Sequence, residues 1–168
     1  MKYSRYEVRS ALLAANRLIH CVPVSAEKVS ATLAPYFDCD GFHQIPDGDE
    51  KGEALRSMIF ALTADGYREE GRFLEAAEWY RKASAISPGG HAAIYAHMVC
   101  KHRLSASYAD ALNILEINSQ RWKARPLFYR IYWRIRTWRS WCYRDARDIS
   151  FSVEKNLLFL RAEIKKNA

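Results

Sequence analysis

One stretch of this 168-residue chain stands apart by residue type. From Arg121 to Arg147 it carries nine basic residues and one acid, Asp145, together with Trp122, Trp133, Trp138 and Trp141, four of the five tryptophans. At helical spacing, Arg130, Arg134, Trp141 and Arg144 share one face, and Tyr129, Trp133, Arg136, Tyr143 and Arg147 the neighbouring one. A guanidinium three or four residues from an aromatic ring can stack on it, a contact worth about 0.5–2 kcal/mol. The same side chains suit three environments. Trp, Tyr and Arg are the residues that anchor protein–protein contacts. Cations that neutralise phosphates, beside rings that stack on bases, would instead hold a nucleic acid. Packed between other helices, the arginines would run their heads out to solvent or pair with the acids of residues 38–50.

Other chemistry finds little support. His20-Cys21 and Cys39-x3-His43 could converge on a zinc ion, but neither half has the ligand spacing of a structural zinc motif, so no metal is expected. Asp38, Asp40, Asp47, Asp49 and Glu50 lack the one-three-five spacing of a calcium loop and read as a solvated acidic loop. The chain contains no Gly-rich phosphate loop and no Gly-x-Ser-x-Gly elbow, and its carboxylates are scattered over helical surfaces. Neither catalysis nor a cofactor is therefore expected.

Composition bounds the rest. Hydrophobic residues are 49% and charged residues 27%, the balance of a folded domain. Formal charge is +7, all of it near one end: residues 1–50 hold 5 basic against 7 acidic side chains, residues 51–118 hold 8 against 8, and residues 119–168 hold 13 against 4. A basic end on a neutral body points to one basic face with a particular partner rather than to general anion binding. Apolar runs fall short of the roughly 20 residues that cross a bilayer, and the polar opening is unlike a secretory signal. The expected compartment is the cytoplasm, with Cys21, Cys39, Cys100 and Cys142 reduced.

These residues are positioned by helices. Residues 4–20 place Tyr6, Leu12 or Leu13, Ala14 and Leu18 on a loose stripe. Ser25 reads as an N-cap with Glu27 in the first turn, leading into Val29, Leu33 and Tyr36. Further helices are read over Ala54–Gly66, with Leu55, Ile59 or Phe60, Thr63 and Tyr67, and over Phe73–Ile86, with Phe73, Ala76, Tyr80 and Ala83. His91–Arg103 and Tyr108–Ile117 repeat that pattern. Pro126 opens a long helix to about Ile149, with a core seam including Phe128 and Ile131. Ser150 or Ser152 would cap a last helix carrying Val153, Leu157, Leu160 and Ile164. Nothing alternates as a strand would, so no sheet is expected.

The helices also repeat. Phe60, Ala64, Tyr67, Gly71, Phe73, Ala76 and Tyr80 match Tyr95, Val99, His102, Ala106, Tyr108, Ala111 and Leu115, 35 residues on, in size or character. Together with Ala83 and Pro88, this pattern resembles the tetratricopeptide repeat family over residues 57–90, and less fully over 91–125. Length fits one domain and periodicity an all-α one; the resemblance implies that it is built of helical repeats. Leader helices (1–37), the acidic loop (38–50) and two helix pairs (53–125) would precede a long basic-aromatic helix with a C-terminal capping helix (126–168). It implies a binding scaffold for a peptide or partner helix, adaptor-like or chaperone-like, similar in its order of parts to the small bacterial secretion chaperones of that family. Carried over by position, the groove-facing residues are Met58, Ala61, Asp65 and Arg68, then Ala93, Ala96, Cys100 and Arg103. Arg130, Arg134 and Trp141 add the basic-aromatic face. The alternatives are a nucleic-acid-binding protein or a regulatory, immunity-type protein that uses the basic third, and exposed tryptophans at a free edge would suit a homodimer.

Overall fold

Ser4 starts the first helix as its chemistry dictates. Its hydroxyl accepts the Glu7 amide (3.2 Å), and the Glu7 carboxylate takes the Ser4 amide (2.8 Å), a reciprocal cap at the N-terminus of α1 (Arg5–Ile19). Ser25 caps α2 (Ala26–Leu33) through the Lys28 amide, 3.3 Å away, as the sequence predicts. Asp49 caps α3 (Glu50–Glu69) through the Lys51 amide (2.7 Å). The end of the acidic run is thus the start of a helix, four residues before Ala54, because Glu50 and Glu53 favour the positive N-terminal end. A computed structural model describes residues 1–45, 49–86, 90–132 and 144–167, without the side chains of 90 and 144–152. It divides into two compact units, Met1–Ser87 and Pro88–Ala168.

Among the described residues the fold is all-α apart from one short ladder and an isolated bridge between Phe42 and Ile45. In the first unit α3 packs on both α1 and α2, and α4 (Phe73–Ile86) packs on α3. The core takes Val8, Leu12, Ala15 and Ile19 from α1, Val29 and Leu33 from α2, and Leu55 and Ile59 from α3. This settles two pairs of candidates, Leu12 over Leu13 and Ile59 over Phe60. It also corrects the phase of α1, where Tyr6 and Leu13 are exposed. The apolar run Leu12-Leu13-Ala14-Ala15 is consistent with several stripes; Val8 and Ile19 select the one buried.

The ladder was not expected. Strands β1 (Lys2–Tyr3) and β2 (Gly41–Phe42) pair in parallel, Lys2 opposite Gly41 and Tyr3 opposite Phe42. Two-residue strands are too short to alternate, so periodicity has no purchase on them. Phe42 and Cys39 are buried in the first core, and the Tyr3 hydroxyl donates to the Pro35 carbonyl (2.7 Å), tying the segment after α2 back to the start of the chain.

Two close approaches set the helix pairs. Gly66 sits against Val29, where an added Cβ would lie 3.1 Å from the valine Cβ. Between α3 and α4 the small residues Ala76 and Ala83 are fully buried around Tyr80. Gly71, at φ +82°, ends α3: its amide donates to the Arg68 carbonyl (3.0 Å) and that of Arg72 to the Tyr67 carbonyl (2.9 Å). Arg72 then pins three helices, pairing with Glu27, Glu70 and Glu75 while lying 4.6 Å from the Tyr67 ring centroid.

The second unit contains α5 (Gly90–Lys101), α6 (Tyr108–Ala124), a helical segment over 127–132 (α7) and α8 (Arg144–Lys166). α8 packs on both α5 and α6. Tyr108, Ala111 and Leu115 line the buried face of α6, and Leu160 and Asn156 that of α8. Tyr108 meets Phe159 edge-on, with ring centroids 5.7 Å apart. The last helix is one continuous element through Ser150 and Ser152, so neither caps it; the stripe Val153, Leu157, Leu160 and Ile164 holds as buried or half-buried positions. α6 runs on past Ile117 to Ala124.

Candidate interaction surfaces

On α3, Met58 is 43% exposed and Ala61 is buried. Asp65 and Arg68, one turn apart, are bound into a network around Tyr80. The tyrosine hydroxyl donates to the Asp65 carboxylate and accepts from the Arg68 guanidinium (3.2 Å). That guanidinium also pairs with Asp65 (3.3 Å) and Glu69 (2.8 Å). Burial works against the arginine's charge, but Tyr80, Asp65 and Glu69 outweigh it and hold the group more firmly protonated than usual. Burial pushes the Tyr80 hydroxyl well above its ordinary range, and Asp65 beside it acts in the same direction. Both half-buried polar residues expected to face a guest are therefore engaged inside the α3–α4 pair.

In the second unit Ala93 and Ala96 are buried, Ala96 completely. No residue from 91 to 100 is exposed, and α5 packs on both α6 and α8. The Cys100 thiol points at the Asn156 carbonyl of α8 (4.0 Å), and burial pushes its pKa up to about 11. Arg103 is exposed and lies beyond the end of α5 in left-handed backbone, φ +52°. Its amide donates to the Cys100 carbonyl (3.4 Å) and that of Leu104 to the Val99 carbonyl (3.0 Å), the same pair of bonds found around Gly71. The helix-ending turns therefore match Gly71 with Arg103, not with Ala106.

At the other candidate surface, α6 ends in the basic residues Arg121 and Lys123. Arg125 follows in extended backbone, and the Arg130 amide donates to the Pro126 carbonyl (3.1 Å), which opens α7 as the sequence predicts. Trp122 approaches Tyr129, with centroids 6.4 Å apart, and the Arg125 guanidinium lies 5.5 Å from the Tyr129 ring centroid. Arg130 is half-buried. Arg134 and Trp141, like Trp133, Arg136, Trp138, Cys142 and Tyr143, lie outside the described residues, as do the side chains of Arg144 and Arg147.

The expected core seam of this region is overturned at its start. Phe128 is 74% and Ile131 48% exposed, beside Leu127 at 64% and Tyr132 at 55%. Helical spacing identifies residues that share a face but not what lies opposite. Here α8 occupies the place against α5 and α6. The doublets Leu127-Phe128 and Ile131-Tyr132, four residues apart inside a basic stretch, are the signal that sequence reasoning passed over.

For the zinc alternative, Cys39 is buried and donates to the Gly41 carbonyl (3.1 Å), while His20, Cys21 and His43 are exposed. Among the described residues no group of three or more His, Cys, Asp and Glu side chains is placed to hold a metal ion. No described helix is long and apolar enough to cross a membrane. Comparison with protein-family models, curated proteins and solved structures finds no match to this chain.

Proposed function

We propose that this chain is a non-catalytic protein-binding module built on tetratricopeptide-like helix pairs, acting as an adaptor or chaperone-like subunit on a peptide or helix of another protein. The observation that carries the reading is the exposed stripe Leu127, Phe128, Ile131 and Tyr132. Apolar side chains left in contact with water side by side mark interaction sites on folded proteins. The repeat reading draws support from the shared turn geometry at Gly71 and Arg103. It also draws on a later helix in each unit resting on both members of an earlier pair, α3 on α1 and α2, and, beyond α7, α8 on α5 and α6. Of the groove positions, Met58 and Arg103 keep exposed surface, whereas Ala61, Ala93 and Ala96 do not. The binding work is accordingly assigned to the stripe of α7 before the furrow.

The test places a photo-crosslinking amino acid at Phe128, with Leu158 of α8, also exposed, as the control position. Cells of the source organism are then irradiated. A discrete, nuclease-resistant adduct with another polypeptide at 128 and not at 158 is expected. An adduct that nuclease removes, or equal labelling at both positions, refutes the reading.

A further inference from the structure

The charge around the α7 stripe specifies its partner. Residues 119–132 contain four cations, Arg121, Lys123, Arg125 and Arg130, and no acid. Three of them are exposed in the last turn of α6 and just after it, and Arg125 reaches across to the Tyr129 ring of α7. Leu127, Phe128, Ile131 and Tyr132 fall at i, i+1, i+4 and i+5, which is one face of a helix. Half to three-quarters exposed, these side chains offer a patch on the order of 400 Å². That is below the standard of about 800 Å² per partner for an interface between two folded proteins, and it suits a single short helix better than a second folded domain. A second copy docked about a twofold axis would also set this all-cationic surface against itself. Nucleic acid would use the cations but not the aliphatic pair Leu127 and Ile131, and Tyr129 already lies beside Arg125 and Trp122.

From this we infer that the α6–α7 corner binds an acidic amphipathic helix of another protein, whose apolar stripe covers Leu127, Phe128, Ile131 and Tyr132 while its carboxylates face Arg121, Lys123, Arg125 and Arg130. The inference rests on the protein-binding reading above and adds the partner's charge and shape to it.

The test uses the full chain and three labelled synthetic helices of about 18 residues. They share one leucine stripe and differ only in a polar face of glutamate, glutamine or lysine. Anisotropy titrations at about 0.15 M salt are expected to rank glutamate over glutamine by about tenfold, the worth of two or more exposed ion pairs, with the lysine helix weakest. Arg121→Glu with Arg125→Glu, both at exposed positions, should abolish or reverse that order, with helix content unchanged by circular dichroism. Phe128→Ser, which changes no charge, should weaken the glutamate and glutamine helices alike. Equal affinity for all three helices overturns the inference while the protein-binding reading stands. No binding of any helix overturns both. Tighter binding of mixed-sequence single-stranded RNA than of the glutamate helix, or self-association on sedimentation that Phe128→Ser removes, overturns it in favour of those occupants.

Discussion

The two matching turns support a reciprocal experiment. Gly71 and Arg103 each follow a helix in left-handed backbone, at φ +82° and +52°, with the same pair of amide–carbonyl bonds around them. A side chain other than glycine costs about 1–2 kcal/mol in that conformation. Glycine loses more chain entropy on folding, which returns about 0.5–1 kcal/mol. Arg103→Gly should therefore stabilise the second unit by about 0.5–1 kcal/mol, and Gly71→Ala should destabilise the first by a similar amount. The Gly71 substitution isolates the backbone effect, because a Cβ there meets nothing within 4 Å. For units of this size the shifts are about 2–8 °C in melting temperature. Urea titration followed by amide hydrogen exchange assigns each change to its unit. A lower stability for Arg103→Gly, or none lost by Gly71→Ala, refutes the equivalence of the turns.

Other consequences are as direct. Gly66→Ala gains about 1 kcal/mol of helix propensity but drives a methyl into Val29, an overpacking that costs about 1–3 kcal/mol, so denaturant titration should show no gain or a net loss. Gly52→Ala on the same helix meets Ile45 and Phe42 at an ordinary 3.4 Å and should stabilise. Burial lowers the pKa of His91 and His102 from 6.5, so the unfolded chain takes up their protons first. The second unit should lose stability as pH falls below 6.5, and His91→Gln should reduce the loss. The carboxyls of Glu7, Glu27 and Glu75 lie below their usual 4.5, through hydrogen bonds from Ser4 for Glu7 and from their own amides and Arg72 for the other two. The first unit should hold their full contribution above pH 4.5 and lose it progressively as pH falls from there through that lower range, as an acid titration of its unfolding would show. At about pH 8 the Cys100 thiol, with its pKa near 11, is about one-thousandth ionised. Alkylation followed by peptide mapping should find the exposed Cys21 modified well before Cys100.

What could be read from the residues followed the strength of the local chemistry. Ser25, Gly71 and the small residues Ala76 and Ala83 act through rules that need only near neighbours, and each does in the fold what its type demands. Helix stripes were legible wherever polar residues bounded them, as on α4 and α8, and lost phase on α1, where apolar residues surround the axis. The pairing of Lys2 with Gly41 left no trace, since it joins positions 39 apart that carry no strand pattern. The burial of the candidate groove positions was hidden for a related reason. Alanine fits a close guest backbone and a close neighbouring helix equally well, so Ala93 and Ala96 could not announce that they are buried. At the basic surface the arginine and aromatic content was plain, but the outward turn of Phe128 and Ile131 depends on α8 filling the place against α5 and α6.

The packing of α8 on both α5 and α6 has a consequence during synthesis. The first unit draws its helices from residues 5–86 and has all of them once those residues leave the ribosome. The second leaves Tyr108 without Phe159, the ring that meets it edge-on, until the last helix has emerged, some seconds later at about 5–20 residues per second. In that interval the nascent chain displays an unfinished apolar face, the state most prone to capture by a holdase or to clumping with its neighbours on a polysome.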